Sequence, residues 1–92
     1  MKFGLFQSVQ LPDPGSQAKY YKEALEQVCW AEQLGFDSVW LTEHHFSRHG
    51  IVPASLTVLA YLAAMTTSMR LGTTVAVLPF HNPIQLEGAR LA

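Results

Sequence analysis

At 92 residues, with six basic and seven acidic side chains and a net charge of −1, the chain has no basic patch or arginine-rich run to offer a polyanion, which sets nucleic acid aside. It is 49% hydrophobic and only 14% charged, against about 25% charged in typical globular domains, although a small domain with more surface per volume should be the more polar. That balance suits a piece of something larger or a chain buried against partners. The single cysteine, Cys29, excludes an internal disulfide, and the apolar start Met1–Phe6 is too short for a signal-peptide core or a membrane span, so a reducing cytoplasm is expected.

In chain order, Lys2–Gln7 reads as a first strand, and Leu11–Ser16, with Pro12, Pro14 and Gly15, as a loop. From Gln17 to Leu34 the apolar residues Tyr21, Ala24, Leu25, Val28, Ala31 and Leu34 recur at helical spacing. Lys19 with Glu23 and Lys22 with Glu26 stand at i,i+4 on the polar side, and Gly35 follows where a helix C-terminus favours a left-handed residue. Asp37–Thr42 is a second strand, whose consecutive Val39, Trp40 and Leu41 predict cover on both faces. A second helix starts near Pro53–Ser55 and runs to about Thr67; Leu71–Val77 is a third strand, Pro79–Pro83 a loop, and a third helix begins at Ile84.

Strands alternating with helices at this spacing predict α/β architecture, with βαβ units and a parallel sheet. Three strands are too few to close a barrel. The second helix adds a separate expectation. Leu56, Val58, Leu59, Ala60, Leu62, Ala63, Ala64 and Met65 leave it almost no polar stripe. A helix that is apolar all round needs cover on its outward side, so a dimer interface through Ser55–Thr67 is expected, with exposed small residues as the plainer alternative.

The chemistry concentrates after the second strand, in Thr42-Glu43-His44-His45-Phe46, an acid and two imidazoles. The C-terminal end of a strand is where α/β barrels carry their active sites, and an imidazole there can move protons near neutral pH. Adjacent residues point in different directions, so His44 and His45 are not expected to share one job; capping of loop backbone is the structural alternative. His45 and His49 stand four apart, a metal-ligand spacing only if the segment is helical, and Ser47, Arg48 and Gly50 favour a loop. His81, between Pro79 and Pro83, could also face the site, but reads as a loop-packing residue. Cys29, beside Val28 and Trp30, reads as a buried structural thiol. Neither a glycine-rich phosphate loop nor a G-x-S-x-G elbow is present.

Taken together and in order, Met1-Lys2-Phe3-Gly4, Ala31–Trp40, Thr42-Glu43-His44-His45-Phe46, Leu71–Val75, Val77-Leu78-Pro79 and Asn82-Pro83 resemble the N-terminal part of the bacterial luciferase-like flavin-dependent monooxygenase family. The resemblance covers nearly the whole chain, and the Glu-His-His-Phe run is its most specific part. It implies a TIM (β/α)8 barrel of which residues 1–92 form the N-terminal segment, about three strands and three helices. It also implies an oxidoreductase using reduced FMN, supplied by a flavin reductase, and molecular oxygen. In such enzymes a C4a-peroxyflavin oxygenates a small organic substrate.

Carried over to matching positions, the resemblance makes His44 the catalytic imidazole beside the flavin. It puts Glu43 against the flavin edge, with Thr74 and Val75 beneath the ring across a non-proline cis peptide, and His45 and Phe46 at the substrate pocket. Light-emitting members tend to have smaller residues where this chain has Thr74 and Val75, so light emission is not implied. Such barrels run to some 200–400 residues and take their phosphate site from late loops. The expectation is therefore a segment that is not competent alone and binds FMN weakly or not at all. Three other readings remain open: a deazaflavin-dependent oxidoreductase of the same superfamily, a non-catalytic subunit acting by association, and a metal-dependent barrel hydrolase using His44, His45 or His49.

Overall fold

Three parallel strands, β1 (Gly4–Gln7), β2 (Ser38–Leu41) and β3 (Arg70–Thr73), form one sheet in the order β1-β2-β3. The computed structural model of the chain describes residues 1–13 and 15–91, the last two by their backbone; Pro14 of the predicted first loop lies outside them. The register sets Leu5, Val39 and Leu71 in one row and Phe6, Trp40 and Gly72 in the next. Because side chains alternate along a strand, these rows occupy opposite faces. On one face Val39 and Leu41 are fully buried beneath α1 (Gln17–Gln33) and α2 (Ser55–Met65), joined by Val28, Ala31, Leu59 and Leu62 in the core. On the other, Phe6 is 65% and Trp40 43% exposed. The indole of Trp40 lies across Gly72, where a Cβ would stand 2.5 Å from its Cζ3, and its Nε1–H donates to Ser38 Oγ at 3.1 Å.

The run Val39-Trp40-Leu41 is therefore covered by this chain on one face, not both. Its continuous apolarity reflects a second face whose cover does not come from the described residues. β3 is also shorter than Leu71–Val77. Thr74 N–H still takes the carbonyl of Leu41, the last residue of β2, at 2.9 Å, but beyond it β2 offers no further partner and Val77 N–H turns to a carboxylate instead.

α1 follows its predicted stripe, burying Ala24, Val28 and Ala31. It ends in a Schellman arrangement: Gly35 sits at φ 96°, its N–H reaches the Glu32 carbonyl at 3.1 Å, and Phe36 N–H reaches Ala31 at 2.9 Å. Leu34, placed on the stripe by spacing, lies at the cap and is exposed; Cys29 is half-buried, not buried. Lys19 stands 5.7 Å over the Tyr20 ring and does not pair with Glu23, in keeping with the small worth of exposed helical ion pairs. α2 buries Ser55, Leu59 and Leu62, while Ala60, Tyr61, Ala64 and Met65 face outward and uncovered. No described helix is long and apolar enough to cross a membrane. After β3 come a single 3-10 turn, Leu78–Phe80, and α3 (Pro83–Leu91).

Glu32 ties the end of α1 to the connection between α2 and β3. Its carboxylate accepts the N–H groups of Thr67, Ser68 and Met69 at 2.9–3.2 Å. The Ser68 N–H and its neighbours hold this carboxyl below the ordinary glutamate range against a smaller opposing effect of burial. A depressed folded-state pKa means stability that is complete above the unfolded value of about 4.3 and lost as pH falls through the folded one. Glu32→Gln, with one acceptor oxygen fewer, is expected to lower the urea midpoint at pH 7. The gap from the parent chain should narrow below that unfolded value; a gap constant with pH would refute the assignment.

Candidate active site

The loops that leave the C-terminal ends of the strands are sewn to one another. Thr42 N–H bonds Gln7, Ile51 N–H bonds Val9, Leu11 N–H bonds Arg48 and His44 N–H bonds Val52, at 2.8–3.2 Å. The Tyr21 hydroxyl of α1 donates to the Ile51 carbonyl. Residues 42–54 are thus held as an ordered loop, with Val52 buried beneath it.

Glu43 lies two residues beyond β2, and its side chain has no exposed surface. Donors from two loops enclose its carboxylate. His45 Nε2 is 2.8 Å from Oε1, His81 Nε2 is 2.9 Å from both oxygens, and Val77 N–H donates to Oε2 at 3.1 Å. An ionised carboxylate only accepts, so both imidazoles present N–H at Nε2. Burial is the largest single influence on the carboxyl and pushes its pKa up. The bonds from His45, His81 and Val77 together outweigh it and hold the group below the ordinary glutamate range. The His45 ring also meets Phe80 edge-on, with centroids 4.7 Å apart. Both imidazoles spend Nε2 on the carboxylate, and among the described residues no group of three or more His, Cys, Asp or Glu is arranged to hold a metal ion.

The adjacent residues indeed divide. His44 is exposed, and its ring rests on the buried backbone of Gly50, where an ideal Cβ would lie 2.2 Å from His44 Cδ2 and 2.6 Å from Cγ. Gly50 lies outside the left-handed region, so its demand is for space, not for φ. Gly50→Ala is expected to displace the His44 ring and move its proton resonances. Unchanged His44 resonances in the variant would show that the ring does not depend on this seat. Phe46 has φ 55° and projects fully into solvent, touching neither His45 nor His44 in the way Phe80 touches His45. His49 is exposed; its N–H takes Ser47 Oγ at 3.1 Å and its carbonyl accepts from Ser8 Oγ at 3.3 Å.

The Thr74–Val75 peptide bond is cis. Thr74 Oγ1 is buried without a partner among the described residues, as is Thr42 Oγ1, while Val75 is exposed. An exposed apolar side chain beside an unused hydroxyl fits a flat aromatic ring with a polar rim, so the residues present suit a flavin. The oxygens of Glu43, the residue expected at the flavin edge, face the N–H groups of His45, Val77 and His81. Phe80 is the site residue that the sequence pattern does not single out, and His81, which could face the site but reads as loop packing, does face it. The available signal was positional, since His81 follows the third strand as His45 follows the second.

Residues 1–88 match the family described as luciferase-like monooxygenase. The alkanal monooxygenase alpha chain of Photorhabdus laumondii is 38% identical over 92 residues, covering 99% of this chain and 26% of that one. The oxygenase component of the flavin-dependent trigonelline monooxygenase of Acinetobacter baylyi is 36% identical over 89 residues, covering 96% and 25%. A solved structure, the oxygenating constituent of 3,6-diketocamphane monooxygenase from Pseudomonas putida in complex with FMN, aligns with a TM-score of 0.87. That alignment covers 97% of this chain and 25% of that one at 20% identity, a likeness of fold that makes the three strands and helices units of a TIM barrel. The chain spans about a quarter of the length of the relatives it matches. With the ordered motifs, the parallel sheet and a match over nearly all its length, the chain belongs to the luciferase-like monooxygenase family.

Proposed function

We propose that this chain contributes the first three β/α units of a flavin-dependent monooxygenase that uses reduced FMN and molecular oxygen to oxygenate a small organic substrate. The observation that carries the reading is the enclosed Glu43 carboxylate at the end of β2, bonded to the segment after β3 that bears Thr74 and Val75. Reduced flavin, when bound, supplies the electrons and the site at which oxygen is activated. Thr74 and Val75 would hold the ring, the former through a hydroxyl that has no partner among the described residues. His44, exposed and seated on Gly50, takes and returns a proton at its ring. His45 and Phe46 border the substrate space. Glu43 acts by fixing its neighbours. A flavin reductase delivers the reduced cofactor.

The bare face of the sheet, with Phe6 and Trp40, is where the remaining strands of a barrel pack, and the outward face of α2 is where a second subunit docks. The chain by itself is therefore expected to bind FMN weakly or not at all. Submicromolar affinity of the isolated monomer in a fluorescence titration would overturn the segment reading, and a complete barrel without FMN affinity would overturn the function. Light scattering on the same samples checks the docking surface: a strict monomer at high concentration counts against it.

A further inference from the structure

We infer that His81 is a positioning residue that, through Glu43, fastens the segment following β3 to the end of β2. The inference deepens the reading above, in which that segment is the flavin bed, and adds a residue to it. Glu43 is fully enclosed, and two of its three donors, Val77 N–H and His81 Nε2, come from this one segment. The segment's hydrogen bonds to the end of β2 are then three: Thr74 N–H to the Leu41 carbonyl at the near end, Val77 N–H to Glu43 in the middle and His81 to Glu43 at the far end. Between the last two lies the 3-10 turn, closed by Phe80 N–H to Val77 and His81 N–H to Leu78 at 3.0 Å each. The turn is a rigid spacer, so the position of the imidazole and that of the Val77 amide are set together. Phe80 in this turn also packs edge-on against His45, the third donor to the same carboxylate.

His81 thus joins the two loops through an acceptor that neither loop could leave unpaired, since a buried charge without its donors is costly. The bond requires a donor at Nε2, which fixes the neutral ring as the Nε2–H tautomer and leaves Nδ1 as the free nitrogen. The same holds for His45. A side chain that merely fills space would impose no tautomer.

The test compares the parent chain with His81→Gln, whose amide N–H can stand in for Nε2–H, and with His81→Leu, which fills the volume without a donor. Long-range 1H–15N spectra are expected to show both His45 and His81 as Nε2–H tautomers in their neutral forms. Val77 amide exchange is expected to be at least about tenfold faster in His81→Leu, the worth of one charge-assisted hydrogen bond, and close to the parent in His81→Gln. FMN titrated against the same three proteins is expected to bind about tenfold more weakly to the leucine variant alone. Equal Val77 exchange in the parent and His81→Leu, an Nδ1–H tautomer at His81, or equal FMN affinity in all three overturns the inference. If none of the three chains binds FMN, as the segment reading allows, the exchange and tautomer results decide the inference without it, and the flavin reading is decided on the complete barrel.

Discussion

Glu43→Gln is expected to loosen the candidate site more than its one-atom change implies. The carboxylate accepts from His45, His81 and Val77 and has no exposed surface on which a lost partner could be replaced by water. Glutamine keeps one acceptor oxygen and turns the other into a donor. With its nitrogen at the Oε2 position the amide faces the Val77 N–H; at the Oε1 position it faces His45 Nε2, which can accept only by giving up its proton to Nδ1. Each buried donor left without an acceptor costs about 1–3 kcal/mol, and Glu43→Ala, which strands all three, about 3–5 kcal/mol. Urea unfolding at pH 7 measures both. The sign with pH follows from the depressed carboxyl pKa. The parent's advantage is complete above the unfolded glutamate value of about 4.3 and disappears as pH falls through the lower folded value. A Glu43→Gln chain as stable as the parent at pH 7 would mean that the carboxylate is not the hub of the two loops.

His44→Ala in the flavin-loaded enzyme is expected to lower turnover by about 10²–10⁴-fold, the usual worth of a positioned general acid or base. Its stability should barely change, because the ring is exposed and makes no hydrogen bond that holds the loop; the loop is held instead by the backbone bond from His44 N–H to Val52. His49→Ala should leave turnover nearly intact, since that exposed residue contributes its N–H and carbonyl to the loop and its ring to none of the bonds around Glu43. Near-normal turnover of the His44 variant would remove its proposed role. A large loss in the His49 variant would move the chemistry toward the side where Leu11 N–H bonds the Arg48 carbonyl.

The expectation that Val39-Trp40-Leu41 is covered on both faces misjudged what the run reports. Consecutive apolar residues specify that two faces will be buried somewhere, not that the same chain buries both. Val39 and Leu41 meet the helices of this chain, whereas Trp40 lies over Gly72 on the open side. The short β3 has a similar cause. Leu71–Val77 is apolar and β-branched enough to continue, but strand length is set by the partner, and β2 ends at Leu41. His81 was hidden for a different reason. Its flanking prolines describe its local backbone correctly, as a turn, and say nothing of an acceptor that comes from another loop.

Local pattern was enough to determine the order of strands and helices, the glycine that ends α1, the parallel βαβ class and the placing of Glu43, His44 and His45 at the C-terminal end of β2. Those features depend on period, capping and chain order, which any stretch of residues carries with it. The tertiary structure decided which side chains meet. It set Glu32 on the Thr67–Met69 amides, rested the His44 ring on Gly50, and made Glu43 the shared acceptor of His45, Val77 and His81. The physical reason is that a hydrogen bond to a buried carboxylate is directional and lies within about 3 Å. Which donors come that close is settled by how two loops leave neighbouring strands, and that is a property of the sheet's register, not of either loop's own residues.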